Sequence, residues 1–122
     1  MKRDYATYLD DVTESIGKID EYTRGIGFEE FQRDSTIQDA VLRRMEIIGE
    51  AVKHIPLQIR QANPEVPWRE IAGLRDVLIH GYFSVNTQRV WNTVKNDLPE
   101  FKKAIRRIYA ELGKKPLPRS KP

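Results

Sequence analysis

Apolar residues return every three or four positions along most of this chain, and an alternation of period two is sustained nowhere. The strongest stripe is Ile37, Val41, Ile48, Val52 and Ile55, widened by Ala40, Ile47 and Ala51. Residues so spaced line one face of an α-helix, whereas a strand would scatter them to both faces. The chain is therefore confined to helices that bury one face against each other.

Punctuation residues divide this pattern into segments. A first helix is expected over about residues 4–23, with Tyr5, Tyr8, Leu9, Val12, Ile16 and Ile19 on its inner face, and Arg24-Gly-Ile-Gly27 breaks it. Phe28–Phe31 suits a short turn of helix. Ser35 or Thr36 is expected to cap a second long helix running to about Ile55, which Pro56 ends or follows with a short helix. Asn63-Pro-Glu-Val-Pro67 reads as a turn, with Pro67 at the first position of a third helix that stops near His80, because Gly81 suits a left-handed cap. Asn86 or Thr87 starts another helix through Trp91, Val94 and Leu98. Pro99 then kinks it or begins a fifth helix, with Phe101, Ile105, Ile108 and Leu112 inward and Gly113 at its end. Short connections between long amphipathic helices predict an all-α, antiparallel four- to five-helix bundle over residues 1–113, followed by a basic, disordered tail over 114–122.

Composition narrows the function classes. A chain of 122 residues with 39% hydrophobic and 32% charged residues supports one soluble domain with a single core. There are no cysteines, which excludes disulfides and thiolate metal sites. Met1–Tyr5 lacks the apolar run of a signal peptide and no stretch approaches a membrane span, so the expectation is a cytoplasmic protein with no membrane partner. The net charge of +3 is unevenly spread. Residues 1–23 hold six acids against three bases, whereas 101–122 hold eight bases against Glu111 alone. Such a basic end can attract phosphate backbones, although a solvated helix face with a solubilising tail gives the same pattern.

One residue breaks the helical logic. In Gly73-Leu-Arg-Asp-Val-Leu-Ile-His-Gly-Tyr82, Arg75 falls inside an apolar stripe of Trp68, Ile71, Ala72, Leu78 and Ile79. A guanidinium there must find an anion, since an unpaired buried charge costs several kcal/mol. His80, one of two histidines, follows five residues later. Arginine and histidine together suit phosphodiester chemistry: the first holds phosphate, and the second moves a proton near neutral pH. On an ideal helix the two differ by ~140° in direction, so either the helix distorts or ends by His80, or two subunits contribute. Asp76 lies four residues before His80, on its face, and can orient the imidazole. Cleavage through a ribose 2′-hydroxyl needs both an acid and a base, which a symmetric dimer would supply from two copies of the motif.

Other candidates are weaker. His54 near Glu50 makes a poor metal site and suits a surface or capping role. Glu46 and Glu50 are one turn apart on a face that Arg43 and Lys53 would salt-bridge, unless that face turns toward the motif and Glu46 supports Arg75. Gly25 and Gly27 lack the Lys-Ser or Lys-Thr of a phosphate loop. Trp68 and Trp91 sit at core-compatible spacings.

The run Val41-Leu-Arg-Arg-Met-Glu-Ile-Ile-Gly-Glu-Ala-Val52, continued by Pro67-Trp-Arg-Glu-Ile-Ala-Gly-Leu-Arg-Asp-Val-Leu-Ile-His-Gly-Tyr82, closely resembles the HepT-like branch of the HEPN superfamily. The resemblance extends through Val90-Trp91 and the final helix, leaving only the tail uncovered. Arg75, Asp76, His80 and Tyr82 match the family motif position by position. The resemblance implies a HEPN-like homodimer acting as the toxin of a type VII-like toxin–antitoxin pair. Its activity would be that of an endoribonuclease needing no metal or cofactor, with RNA as substrate, Arg75 and His80 catalytic and Asp76 supporting. It further implies silencing by a minimal nucleotidyltransferase antitoxin that adenylylates Tyr82. Two alternatives remain at this point: a non-catalytic module that binds a nucleotidyltransferase and positions nucleotide or RNA, and a structural dimerisation domain in which Arg75 pairs with an acid such as Glu46.

Overall fold

The computed structural model describes residues 5–80 and 87–112, with side chains for all of these except 75–80. Within them the chain is helical and contains no strand. Four long helices carry the fold: α1 (Tyr5–Thr23), α3 (Ser35–Val52), α5 (Trp68–His80) and α7 (Leu98–Leu112). Short helices α2 (Phe28–Arg33), α4 (Leu57–Ala62) and α6 (Thr87–Asn92) lie between them, and a π-helical segment, Thr93–Asp97, joins α6 to α7.

The stripes seen in the sequence become the core. Leu9, Val12, Ile16 and Ile19 of α1 meet Val41, Met45, Ile48 and Val52 of α3, all at most 2% exposed. Pairings fix the helix directions. Tyr8 stacks on His54 at one end of the α1–α3 pair and Glu14 reaches Arg44 further along, so the two helices are antiparallel. Tyr109 bonds Asp10 while Lys102 reaches Asp20, which makes α7 antiparallel to α1 as well. α5 packs on α3, and Trp68 meets Phe101 of α7 edge to face at 5.2 Å. Both tryptophans are core residues, and Trp68 Nε1 donates to the Asn63 carbonyl at 2.9 Å.

Two local expectations are corrected and a third is met. The N-cap of α3 is Asp34, whose Oδ1 accepts from the Ile37 N–H at 3.1 Å, while Ser35 is already helical. An ionised carboxylate both satisfies an orphan N–H and meets the positive end of the helix, which a hydroxyl does less strongly. α3 ends at Val52, three residues early, and the backbone turns through His54 and Ile55 to α4 behind Pro56. Pro99 falls where the last helix begins, one of the two outcomes expected for it. It is the second residue of α7, where it has no N–H to donate to the Lys95 carbonyl and its ring would clash with that carbonyl. The chain absorbs this by widening: the Leu98 N–H donates to the Thr93 carbonyl five residues back. Gly25, at φ +78°, makes the turn after α1 in a conformation that disfavours other residues.

Candidate active site

α5 is placed by its buried side chains Trp68, Ile71 and Leu74, with Arg69 and Glu70 exposed. Leu74 was absent from the stripe read in the sequence; its burial shifts the inner face toward Ile71. The helix runs unbroken to His80. Arg75 and Asp76 therefore share one turn of a regular helix and His80 lies on the next, and their side chains, like Tyr82 as a whole, lie outside the described residues. Helical register sets Arg75 on the face of Trp68 and Ile71, and sets His80 on that of Arg69 and Gly73, ~140° away. Asp76 and His80 share a face, one turn apart. A Cβ built on Gly73, two turns before His80, meets nothing within 4 Å, so this face of α5 is open beside the glycine.

A cleft of about 400 Å³ lies between α1 and α3, lined by Tyr8, Asp11, Arg43, Glu46, Ile47 and Glu50. Arg43 Nη1 donates to Glu46 Oε1 at 2.7 Å, and Glu50 Oε2 lies 3.5 Å from His54 Nε2. The His54 ring stacks on Tyr8 at 4.3 Å, within 10° of parallel. Arg43 does pair with Glu46, and His54 lies against Glu50; the sequence named Arg43 and Lys53 as the bases for Glu46 and Glu50 and assigned His54 a surface or capping role. It gave no signal for Tyr8 and Asp11, which come from another helix. Among the described residues no group of three or more histidines, aspartates and glutamates is placed to hold a metal ion.

Among the described residues, two titrating groups are displaced. Asp97 is pushed up from the usual carboxylate range by burial in the π segment and by the nearby Glu70 carboxylate. Tyr109 is pushed well above the usual phenol range by burial and by its hydrogen bond to Asp10. The basic end of the chain is partly neutralised by pairing. Lys102 reaches Asp20 at 3.5 Å, Lys103 reaches Glu100 at 3.6 Å, and Arg107 pairs with Glu65 and bonds Asn63 Oδ1.

The chain matches the family model "Ribonuclease HepT-like" over residues 12–108. It is 51% identical over 102 residues to a protein of Thermococcus cleftensis named "Probable ribonuclease HepT", covering 84% of this chain and 93% of that one. A Methanocaldococcus jannaschii protein named "Putative RNase MJ0125" is 43% identical over 114 residues, covering 93% of this chain and 98% of that one. A Caldanaerobacter subterraneus protein named as an RNase in the same terms is 43% identical over 101 residues, covering 83% of this chain and 90% of that one. No solved structure matches. Among the described residues, no helix is long and apolar enough to cross a membrane.

Proposed function

Because this chain belongs to the HepT-like ribonuclease family, we propose that it is a metal-independent endoribonuclease, the toxin of a two-component pair, whose site is shared between two copies of the chain. The observation that carries this reading is the unbroken course of α5. A regular helix keeps Arg75 and His80 on divergent faces, so a single copy does not gather the groups that the chemistry needs. Two α5 helices related by a two-fold axis would supply two arginines and two histidines to one cleft.

The reaction follows from those groups. One His80 imidazole removes the proton of a ribose 2′-hydroxyl, and that oxygen attacks the adjacent phosphorus. The bond to the 5′-oxygen breaks, and the partner's His80, as imidazolium, protonates the departing oxygen. The products are a 2′,3′-cyclic phosphate and a 5′-hydroxyl. Arg75 holds the phosphate and stabilises the charge gathering on its oxygens. Asp76, one turn before His80, favours the charged imidazole and fixes its direction. In this reading Tyr82 is the switch: its hydroxyl oxygen attacks the α-phosphorus of ATP on a nucleotidyltransferase, pyrophosphate leaves, and the AMP so attached places a charged, bulky group two residues from His80 and occupies Arg75.

Structured RNA incubated in EDTA with the protein and with its His80→Ala variant tests this. The expected result is cleavage by the parent alone, ending in 2′,3′-cyclic phosphate, while both proteins keep the same helical circular dichroism. An intact substrate with the parent, its Tyr82 shown bare by mass, would overturn the ribonuclease reading. Cleavage that stops in EDTA and returns with a divalent cation would overturn the metal-free mechanism alone.

A further inference from the structure

The charge of this chain is segregated along its length. Residues 98–122 carry eight bases and two acids, a net +6, which leaves 1–97 at −3. Among the described residues, that excess lies on α7, three of its four bases along one edge of the helix. On α7, Phe101, Ala104, Ile105, Ile108 and Tyr109 are buried, so the helix shows solvent only its opposite arc. Lys102, Lys103 and Arg106 lie along one side of that arc at spacings of three and four residues, ~5–6 Å apart. Glu100 and Glu111 fall together on the other side, eleven residues or three turns apart.

The pairs that restrain this edge are weak. Lys103 is 68% exposed and its partner Glu100 is 52% exposed, while Lys102 and Asp20 are 38% and 41% exposed. Ion pairs this open contribute little, and a phosphate can displace the carboxylate. Arg106 is exposed and has no ion pair among the described residues. The sequence continues from α7 into Lys114, Lys115, Arg119 and Lys121 without another acid.

We propose that the Lys102–Lys103–Arg106 edge of α7 is an RNA backbone track, a sequence-independent binding surface outside the Arg75–His80 motif. It rests on the ribonuclease reading and assigns substrate affinity to a part of the chain that the motif does not include. Each base takes one phosphate, so the surface contributes binding and salt dependence and no base preference.

The test uses the full chain, its Lys103→Glu/Arg106→Glu double variant and a Lys103→Gln/Arg106→Gln variant, each with a fluorescent single-stranded RNA. Anisotropy gives Kd at several salt concentrations, and cleavage of a dinucleotide, which carries a single phosphodiester, is followed in parallel. The glutamine pair is expected to lower the slope of log Kd against log salt by about 1.4, the share of two phosphate contacts on a single strand. The glutamate pair should weaken binding at low salt by roughly tenfold or more, with dinucleotide cleavage unchanged. An unchanged slope and Kd in both variants, beside a parent that cuts RNA, would overturn the track alone. A parent that neither binds nor cuts RNA would overturn the ribonuclease reading and the track together.

Discussion

Replacing Tyr109 by phenylalanine isolates one strut between the first and last helices. Tyr109 is 1% exposed; its hydroxyl donates to Asp10 Oδ1 and lies 3.5 Å from Thr13 Oγ1, whose own proton goes to the Leu9 carbonyl at 2.8 Å. The phenylalanine ring fills the same space, so no cavity term enters. A hydrogen bond to a charged acceptor is worth about 1.5–3 kcal/mol. Asp10 is only half-buried and regains water when its partner leaves, which reduces the expected loss to roughly 1–2 kcal/mol. For a domain of this size that is a fall in Tm of roughly 3–8 °C. The loss also has a pH signature. Burial and the Asp10 bond raise the folded-state pKa of Tyr109 above the ordinary value of about 10, so the folded chain keeps a proton that the unfolded chain has released. The contribution is therefore complete below pH ~10 and declines at higher pH, at up to about 1.4 kcal/mol per pH unit, until the folded phenol ionises too. Urea unfolding of parent and variant at pH 7, 9, 10 and 11 measures this. The difference between them should be constant up to pH 9 and shrink above 10. A difference below about 0.3 kcal/mol at pH 7, or one that does not change with pH, would refute the reasoning.

Three further outcomes follow from single positions. Asp97→Asn should stabilise the protein at pH 7: burial and Glu70 raise the folded carboxyl pKa, so its charge is a burden above that value, and the gain should vanish near pH 4 in acid unfolding curves. Asp34→Ala removes the side chain that accepts from Ile37 N–H at the start of α3 and should cost about 1 kcal/mol in urea; a cost under 0.3 kcal/mol would deny it a capping role. Ser15→Ala should raise Tm, since the Ser15 hydroxyl is fully buried with no hydrogen-bond partner and alanine is the better helix former; a fall in Tm would show that the hydroxyl is satisfied.

Much of the fold was legible because helix formation leaves a local trace. The stripes of α1, α3 and α7, the turn at Gly25 and the start of α6 near Thr87 all depend on residues within a few positions of each other. The motif Arg75–Asp76–His80 was legible for the same reason, as a charge within an apolar period. The structure adds that α5 runs unbroken from Trp68 to His80, so Arg75 and His80 stand five positions apart on one regular helix.

What the sequence alone determined is helical period, turn chemistry and the identity of the motif, since each is decided by neighbours along the chain. Only the tertiary structure decided which long-range partners those residues meet. It set His54 against Tyr8 across 46 positions, Tyr109 against Asp10 and Arg107 against Glu65. It also gave the bases of the terminal helix their carboxylate partners, Asp20 for Lys102 and Glu65 for Arg107, and widened the backbone at Thr93–Asp97 ahead of Pro99. The reason is physical: a helix's inner face follows from periodicity, but its polar face takes its partners from whatever the packing of that inner face brings within reach.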